Sequence, residues 1–181
     1  MSTATENFEA ELEKRPRNCP TETKIIHSEA ALQAVLARWR FRSQQIVFTN
    51  GCFDLLHLGH TDYLEKARAL GHRLVVGINS DDSVRRLKGP ERPLQPLEAR
   101  ARVLAALQFV DLVVSFAEDD PLQLILAVQP DILVKGDDYT LEQIIGAKEV
   151  RAAGGRVQTL PLVEGYSTTQ LLARLQKGAG H

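Results

Sequence analysis

Cysteine is scarce in this 181-residue chain: it has two, Cys19 and Cys52, with no metal-type spacing between them. That excludes a disulfide-stapled scaffold and a cysteine zinc site, and fits a reducing compartment. Long apolar runs are missing as well. None approaches the roughly 18 residues that a membrane helix needs. Residues 1–17 lack the apolar segment of a signal peptide, so the expected location is the cytoplasm, with no membrane partner. Net charge is almost absent: 22 Lys and Arg against 23 Asp and Glu leave −1. A chain so balanced has no electrostatic reason to bind nucleic acid wholesale. No repeat period is visible. What remains is an ordinary globular composition, 44% apolar, at a length that suits one domain with a sizeable core.

The apolar pattern then divides the chain. Residues 1–23 are polar, with Pro16 and Pro20. They read as a loosely packed arm, or alternatively a docking segment, ahead of a domain over residues 24–178. Five short apolar runs read as strands: 46–49, 73–78, 112–116, 132–135 and 156–160. Helical patterns lie around them. In 28–39, Leu32, Val35, Leu36 and Trp39 recur at helical spacing behind Ser28 as N-cap. Residues 58–70 form the next, closed by Gly71. A short helix follows residue 83, then 97–107, 121–128, and 141–153 with Gly146 as a break point. A last helix opens at 165–169 and runs to about residue 177. Strands alternating with helices predict an α/β, Rossmann-like fold: a doubly wound five-stranded parallel sheet with helices on both faces and right-handed crossovers. Ligands in such sheets bind beyond the strand C-termini, where the strand order reverses. Four strand-following segments carry the chemically suggestive residues: 49–60, 79–83, 136–139 and 165–169. They are expected along one edge.

Within 49–60, His57 and His60 lie three apart at a helix start, so both can face one ligand. Gly59 between them removes a side chain where a phosphate needs close backbone approach. Imidazole N–H groups can donate to polyphosphate oxygens, and the helix start adds unpaired N–H groups and a partial positive charge. Two capping or core histidines are the bland alternative; a pair straddling a glycine behind a strand favours the functional one. Thr49 can offer a hydroxyl to a phosphate or simply fill a strand. Asp54 can orient a sugar hydroxyl or cap a turn. Cys52 reads as a packed side chain rather than a nucleophile. Lys88 and Arg92 flank and occupy a loop, 88–96, that three prolines and a glycine bar from regular structure. Cations there can sit over an anionic substrate, or be merely solvated. Arg100, at the next helix start, can reach the same place or make a surface pair. Lys135, Asp137 and Asp138 end a strand, where carboxylates can meet a ribose or hold Mg²⁺ through water. Ser167, Thr168 and Thr169 are helix caps by default and a second phosphate site if they share the edge with His57.

Taken together, residues 49–60 resemble the His-x-Gly-His signature of the HxGH nucleotidylyltransferase superfamily. More closely, residues 46–175 resemble the adenylyltransferases of ADP-heptose synthesis. The matching segments are 48–54, 83–90, 96–100, 133–139 and 163–169. The resemblance implies transfer of AMP from ATP to D-glycero-β-D-manno-heptose 1-phosphate, by in-line attack on the α-phosphorus with release of pyrophosphate. It implies His57, His60 and Lys88 as catalytic residues. Thr49, Asn50, Phe53, Lys135, Asp138, Ser167, Thr168 and Thr169 would join the histidines around ATP. Asp54, Lys88, Arg92 and Arg100 would serve the sugar phosphate. Mg²⁺ would bridge phosphates with no dedicated protein ligand set. A homo-oligomer is the implied assembly, and the chain length implies the form without a fused kinase. Two departures stand out. Leu172 replaces an arginine that many members carry after the Ser/Thr cluster, so a cation from Arg85, Lys88 or Arg100 must serve instead. Asp137 stands where the heptose group has glycine. The competing expectations are another sugar- or polyol-phosphate nucleotidylyltransferase, such as a glycerol-3-phosphate cytidylyltransferase, and a non-catalytic nucleotide-binding module.

Overall fold

A computed structural model describes residues 20–172. The ends of the predicted arm and of the predicted last helix, 1–19 and 173–181, lie outside the described residues. The sheet has six strands, all parallel: β1 (Ile25–Ile26), β2 (Ile46–Gly51), β3 (Arg73–Asn79), β4 (Leu112–Phe116), β5 (Ile132–Gly136) and β6 (Arg156–Leu160). Their spatial order is β1-β4-β3-β2-β5-β6. The predicted five strands are all present, and the count is corrected by β1. This strand is two residues long and pairs only with Val113 and Val114. Two apolar residues between polar neighbours carry no alternation from which a strand can be read. Just before β1, Lys24 donates to the Leu107 carbonyl at 3.1 Å and Glu22 pairs with Arg102.

The helices are α1 (Glu29–Phe41), α2 (Leu58–Ala69), α3 (Asp81–Lys88), α4 (Leu97–Ala106), α5 (Leu122–Val128) and α6 (Ala147–Ala152). Ser28 caps α1 by accepting from the Ala31 N–H, and Ser80 caps α3 by accepting from Ser83. A helix predicted from residue 141 begins only at Ala147. Gly146 takes φ +83° with Ile125 packed against its Cα, so the chain turns there instead of continuing a helix.

Alternation along each strand sends side chains to opposite faces. Phe48, Val75, Val114 and Leu133 meet Leu36 and Trp39 of α1, Ile125 and Val128 of α5, and Val150 of α6. On the other face Val47, Leu74, Val76 and Ile132 meet Leu64 and Ala67 of α2 and Leu104 and Ala105 of α4. Both faces are dry, as a parallel sheet requires. From β2 the chain builds outward to β3 and β4, then crosses back to place β5 on the other side of β2. The order therefore reverses between β2 and β5, and a crevice opens beyond their C-terminal ends.

Candidate active site

That crevice is a cleft of about 600 Å³. The end of β2 and the start of α2 supply Asn50, Gly51, Cys52, Phe53, Asp54, His57, Gly59 and His60 to its wall. Lys88 and Arg92 enter from one side. Lys135, Gly136 and Asp138 enter from β5, and Ser167, Thr168 and Thr169 close the remaining side.

His57 is the N-cap residue of α2, but its side chain makes no cap hydrogen bond and is left for the cleft. Its ring stacks on that of His60, centroids 3.8 Å apart and planes 20° from parallel. Gly59 permits this: a Cβ there would lie 3.1 Å from His57 Nδ1 and 3.3 Å from Tyr166 Cβ. Phe53 lies against the other ring, 5.3 Å from His60. The Nδ1 atoms of both histidines are buried without a hydrogen-bond partner among the described residues. Burial pushes the His60 pKa down to about 4, His57 adds to that, and the Leu55 backbone opposes it. Burial lowers His57 too. At neutral pH the pair is therefore uncharged, and each neutral imidazole still carries one N–H that can donate to an anion's oxygens.

Lys135 of β5 faces the end of β2. Its Nζ donates to the Asn50 carbonyl at 3.1 Å. Burial lowers its pKa to about 8, against the opposing fields of Asp138 and Cys52. Lys88 closes α3, is exposed, and makes no ion pair among the described residues. Of the cations proposed to stand in for the arginine missing at Leu172, Lys88 lines the cleft. Arg85 is bonded to Asp82 at 2.5 Å and lies outside the lining.

Three sequence-predicted residues do not reach the cleft wall: Thr49, Arg100 and Asp137, the last accepting from the Leu162 N–H at 3.3 Å. Thr49 is fully buried, its hydroxyl 2.7 Å from the Tyr63 hydroxyl. Arg100 is 2% exposed and its guanidinium is taken up by protein acceptors. Asp54 does line the cleft, yet its carboxylate is bound to Arg92 Nε at 2.5 Å and to the Leu94 and Gln95 N–H groups at 2.8 and 3.0 Å. Burial alone would raise its pKa; those donors outweigh it and hold the carboxyl below its usual range. Burial raises the Cys52 thiol, which agrees with a packed rather than nucleophilic side chain.

The comparisons with known proteins bear on this arrangement. The profile of the cytidylyltransferase-like family matches residues 48–174, most of the chain and every residue of the cleft wall. The chain belongs to the cytidylyltransferase-like family. Relatives include two proteins called bifunctional protein HldE. That of Acidiphilium cryptum is 57% identical over 84% of this chain and 31% of its own length. That of Magnetococcus marinus is 59% identical over 84% and 31%. The chain thus spans about a third of the length of these relatives. Among solved structures, the lipopolysaccharide core biosynthesis protein of Thermoplasma volcanium matches with a TM-score of 0.57 at 27% identity, over 68% of this chain and 99% of that one. A pantoate–β-alanine ligase from Francisella tularensis shares the fold at TM-score 0.59 and 15% identity, over 84% of this chain and 76% of that one.

Within this cytidylyltransferase-like chain, the four predicted strand-end segments all supply the one cleft, though 79–83 contributes only Asn79. Sequence reasoning missed Tyr63, Leu87, Asp119, Pro121, Tyr139, Leu162 and Tyr166, which also line it. Leu162, Tyr139 and Tyr166 are half-exposed apolar or aromatic groups, suited to the flat face of a base. Apolar residues next to strand ends give no chemical signal of their own; Tyr139, inside 136–139, and Tyr166, inside 165–169, were the two within reach.

Proposed function

We propose that this protein is an adenylyltransferase that joins AMP from ATP to D-glycero-β-D-manno-heptose 1-phosphate, releasing pyrophosphate. One observation carries the reading: two stacked, uncharged histidines share a cleft with Lys88, which makes no ion pair among the described residues, and with a loop-borne arginine. The histidines suit the triphosphate and Lys88 with Arg92 suits a second, sugar-borne phosphate. The similarity to the lipopolysaccharide core biosynthesis protein and the five matching segments support the heptose group within the family.

In the proposed reaction a sugar-phosphate oxygen attacks the α-phosphorus in line. A new P–O bond forms while the bond to the β-phosphate oxygen breaks, and the electron pair leaves on pyrophosphate. No group is left on the protein. The chain's contribution is positioning and charge stabilisation. His57 and His60 donate to triphosphate oxygens from the start of α2. Ser167, Thr168 and Thr169 offer hydroxyls across the cleft, where Ser167 already caps its turn by accepting from Gln170. Lys88 lies on the side where charge builds between the two phosphates. Asn50, Phe53, Lys135 and Asp138 complete the nucleotide side. Thr49 supports it from behind through Tyr63. Among the described residues no three ligating side chains cluster as a metal site. The family resemblance implies Mg²⁺ as ATP's companion, which would supply charge neutralisation of the phosphates. The same resemblance implies a homo-oligomer. No helix among the described residues is long and apolar enough to cross a membrane.

Pyrophosphate release, measured with ATP or CTP against heptose 1-phosphate or glycerol 3-phosphate, tests this. Release is expected with ATP and the heptose phosphate. Release only with CTP and glycerol 3-phosphate would identify the polyol-phosphate enzyme instead. Nucleotide binding with no release under any pairing would mark a non-catalytic module.

A further inference from the structure

We propose that Asp54 and Arg100 are positioning residues: they hold the backbone N–H and carbonyl of Gln95 and so fix residues 89–96, with Arg92 and the adjoining Lys88, against the cleft. Naming that side the acceptor's rests on the function proposed above.

The loop has little of its own to hold it. Pro90, Pro93 and Pro96 have no N–H to donate. One backbone bond inside it, Arg92 N–H to the Gly89 carbonyl at 3.1 Å, closes a turn without attaching it to anything. Gln95 and its neighbours Leu94 and Pro96 are exposed. Yet the Gln95 N–H donates to Asp54 Oδ1 at 3.0 Å, while its carbonyl accepts from Arg100 Nε at 3.0 Å. These two charged groups come from different elements, the exit of β2 and the first turn of α4, and are 4% and 2% exposed. Burying charge to hold the backbone of a surface loop is costly, and a fold gains from it when the position of that loop matters.

Each side of the clamp extends further. Asp54 also accepts from the Leu94 N–H at 2.8 Å and from Arg92 Nε at 2.5 Å, so it orients the side chain that enters the cleft. Arg100 spreads its fork over the Cys52 carbonyl at 2.7 Å, the Asn79 carbonyl at 2.9 Å and Asp81 Oδ1 at 2.6 Å. One planar guanidinium thereby ties the exit of β2, the end of β3, the start of α3 and the loop together. Lys88 ends α3, so it is held through Asp81 at the head of that helix and through Gln95 beyond its tail. The histidine pair sits at the start of α2, to which neither clamp residue hydrogen-bonds among the described residues. Loosening the clamp should therefore release the Lys88–Arg92 side and spare the triphosphate side.

The test uses the full chain with Asp54→Asn and Arg100→Lys. Hydrogen exchange is followed in the peptide covering 89–97, with α2 as internal reference. Nucleotide affinity and the split between kcat and acceptor KM are measured alongside. Exchange over 89–97 should accelerate about tenfold or more while α2 is unchanged. Acceptor KM should rise about tenfold, with ATP affinity within about threefold of wild type. Unchanged exchange in 89–97 would overturn the clamp. So would ATP affinity that falls in step with acceptor KM, since that marks a general collapse. If Arg100→Lys does not fold, the near-isosteric Asp54→Asn decides by the same readouts. A wild-type protein inactive on ATP and heptose phosphate would sink the functional reading alone, because the exchange result needs no substrate.

Discussion

His60 holds its neutral form at a cost that shows in stability. Its pKa is about 4 in the folded protein, against an ordinary 6.5 when exposed. Between those values the unfolded chain binds the extra proton and the folded one does not. Stability is therefore complete above about pH 6.5 and falls as pH drops towards 4. Urea midpoints of the wild type and of His60→Asn, compared from pH 7 to pH 4, should diverge by on the order of 2 kcal/mol, with the wild type losing more. Parallel curves would show that the ring is not shielded. The pair of histidines was legible from spacing alone, because His57, Gly59 and His60 carry their chemistry in their types. Arg100 and Thr49 were legible as polar residues beside the site but not as residues turned away from it. Sequence spacing places an element; which way a long polar side chain points is decided by the acceptors it finds, and for Arg100 those are three carbonyls and Asp81.

At the level of elements, close approach of the strands sets the site. Gly77 of β3 pairs with Asn50 of β2. A Cβ there would lie 2.9 Å from Phe48 Cζ, 3.1 Å from Asn50 Cβ and 3.1 Å from Leu124 Cδ2. Gly77→Ala would overpack this junction. The expected cost is about 1–3 kcal/mol, a fall of several degrees in melting temperature. Because the crowded atoms include Asn50, nucleotide affinity should weaken too; a thermal melt and a nucleotide titration of the same sample check both. The five long strands were readable because buried parallel strands are apolar runs bounded by turns. What escaped was set by contacts distant in sequence. Ile25–Ile26 is a strand only because β4 lies alongside it. Residues 141–146 are not helix because Gly146 turns against Ile125 of α5.

For the whole molecule, the reversal of strand order places the cleft between two groups of elements, β2 with α2 on one side and β5 with the 165–169 segment on the other. A nucleotide that fills it contacts both, and it has no such site on the unfolded chain. Binding should then stabilise the entire fold by mass action. At a hundredfold excess over its Kd, MgATP should add about 2.7 kcal/mol, which for a domain of this size is a rise of roughly 5–10 °C in melting temperature. CTP at the same concentration should give a smaller rise if the half-exposed Tyr139, Leu162 and Tyr166 select the base. Chelating the metal should remove most of the ATP effect, since the triphosphate would then meet the cleft with its charge unneutralised. An ATP shift indifferent to chelation would mean that Lys135 and the N–H donors at the start of α2 suffice to balance the triphosphate. Equal shifts with ATP and CTP would mean that the cleft reads phosphates and leaves base choice to the chemical step.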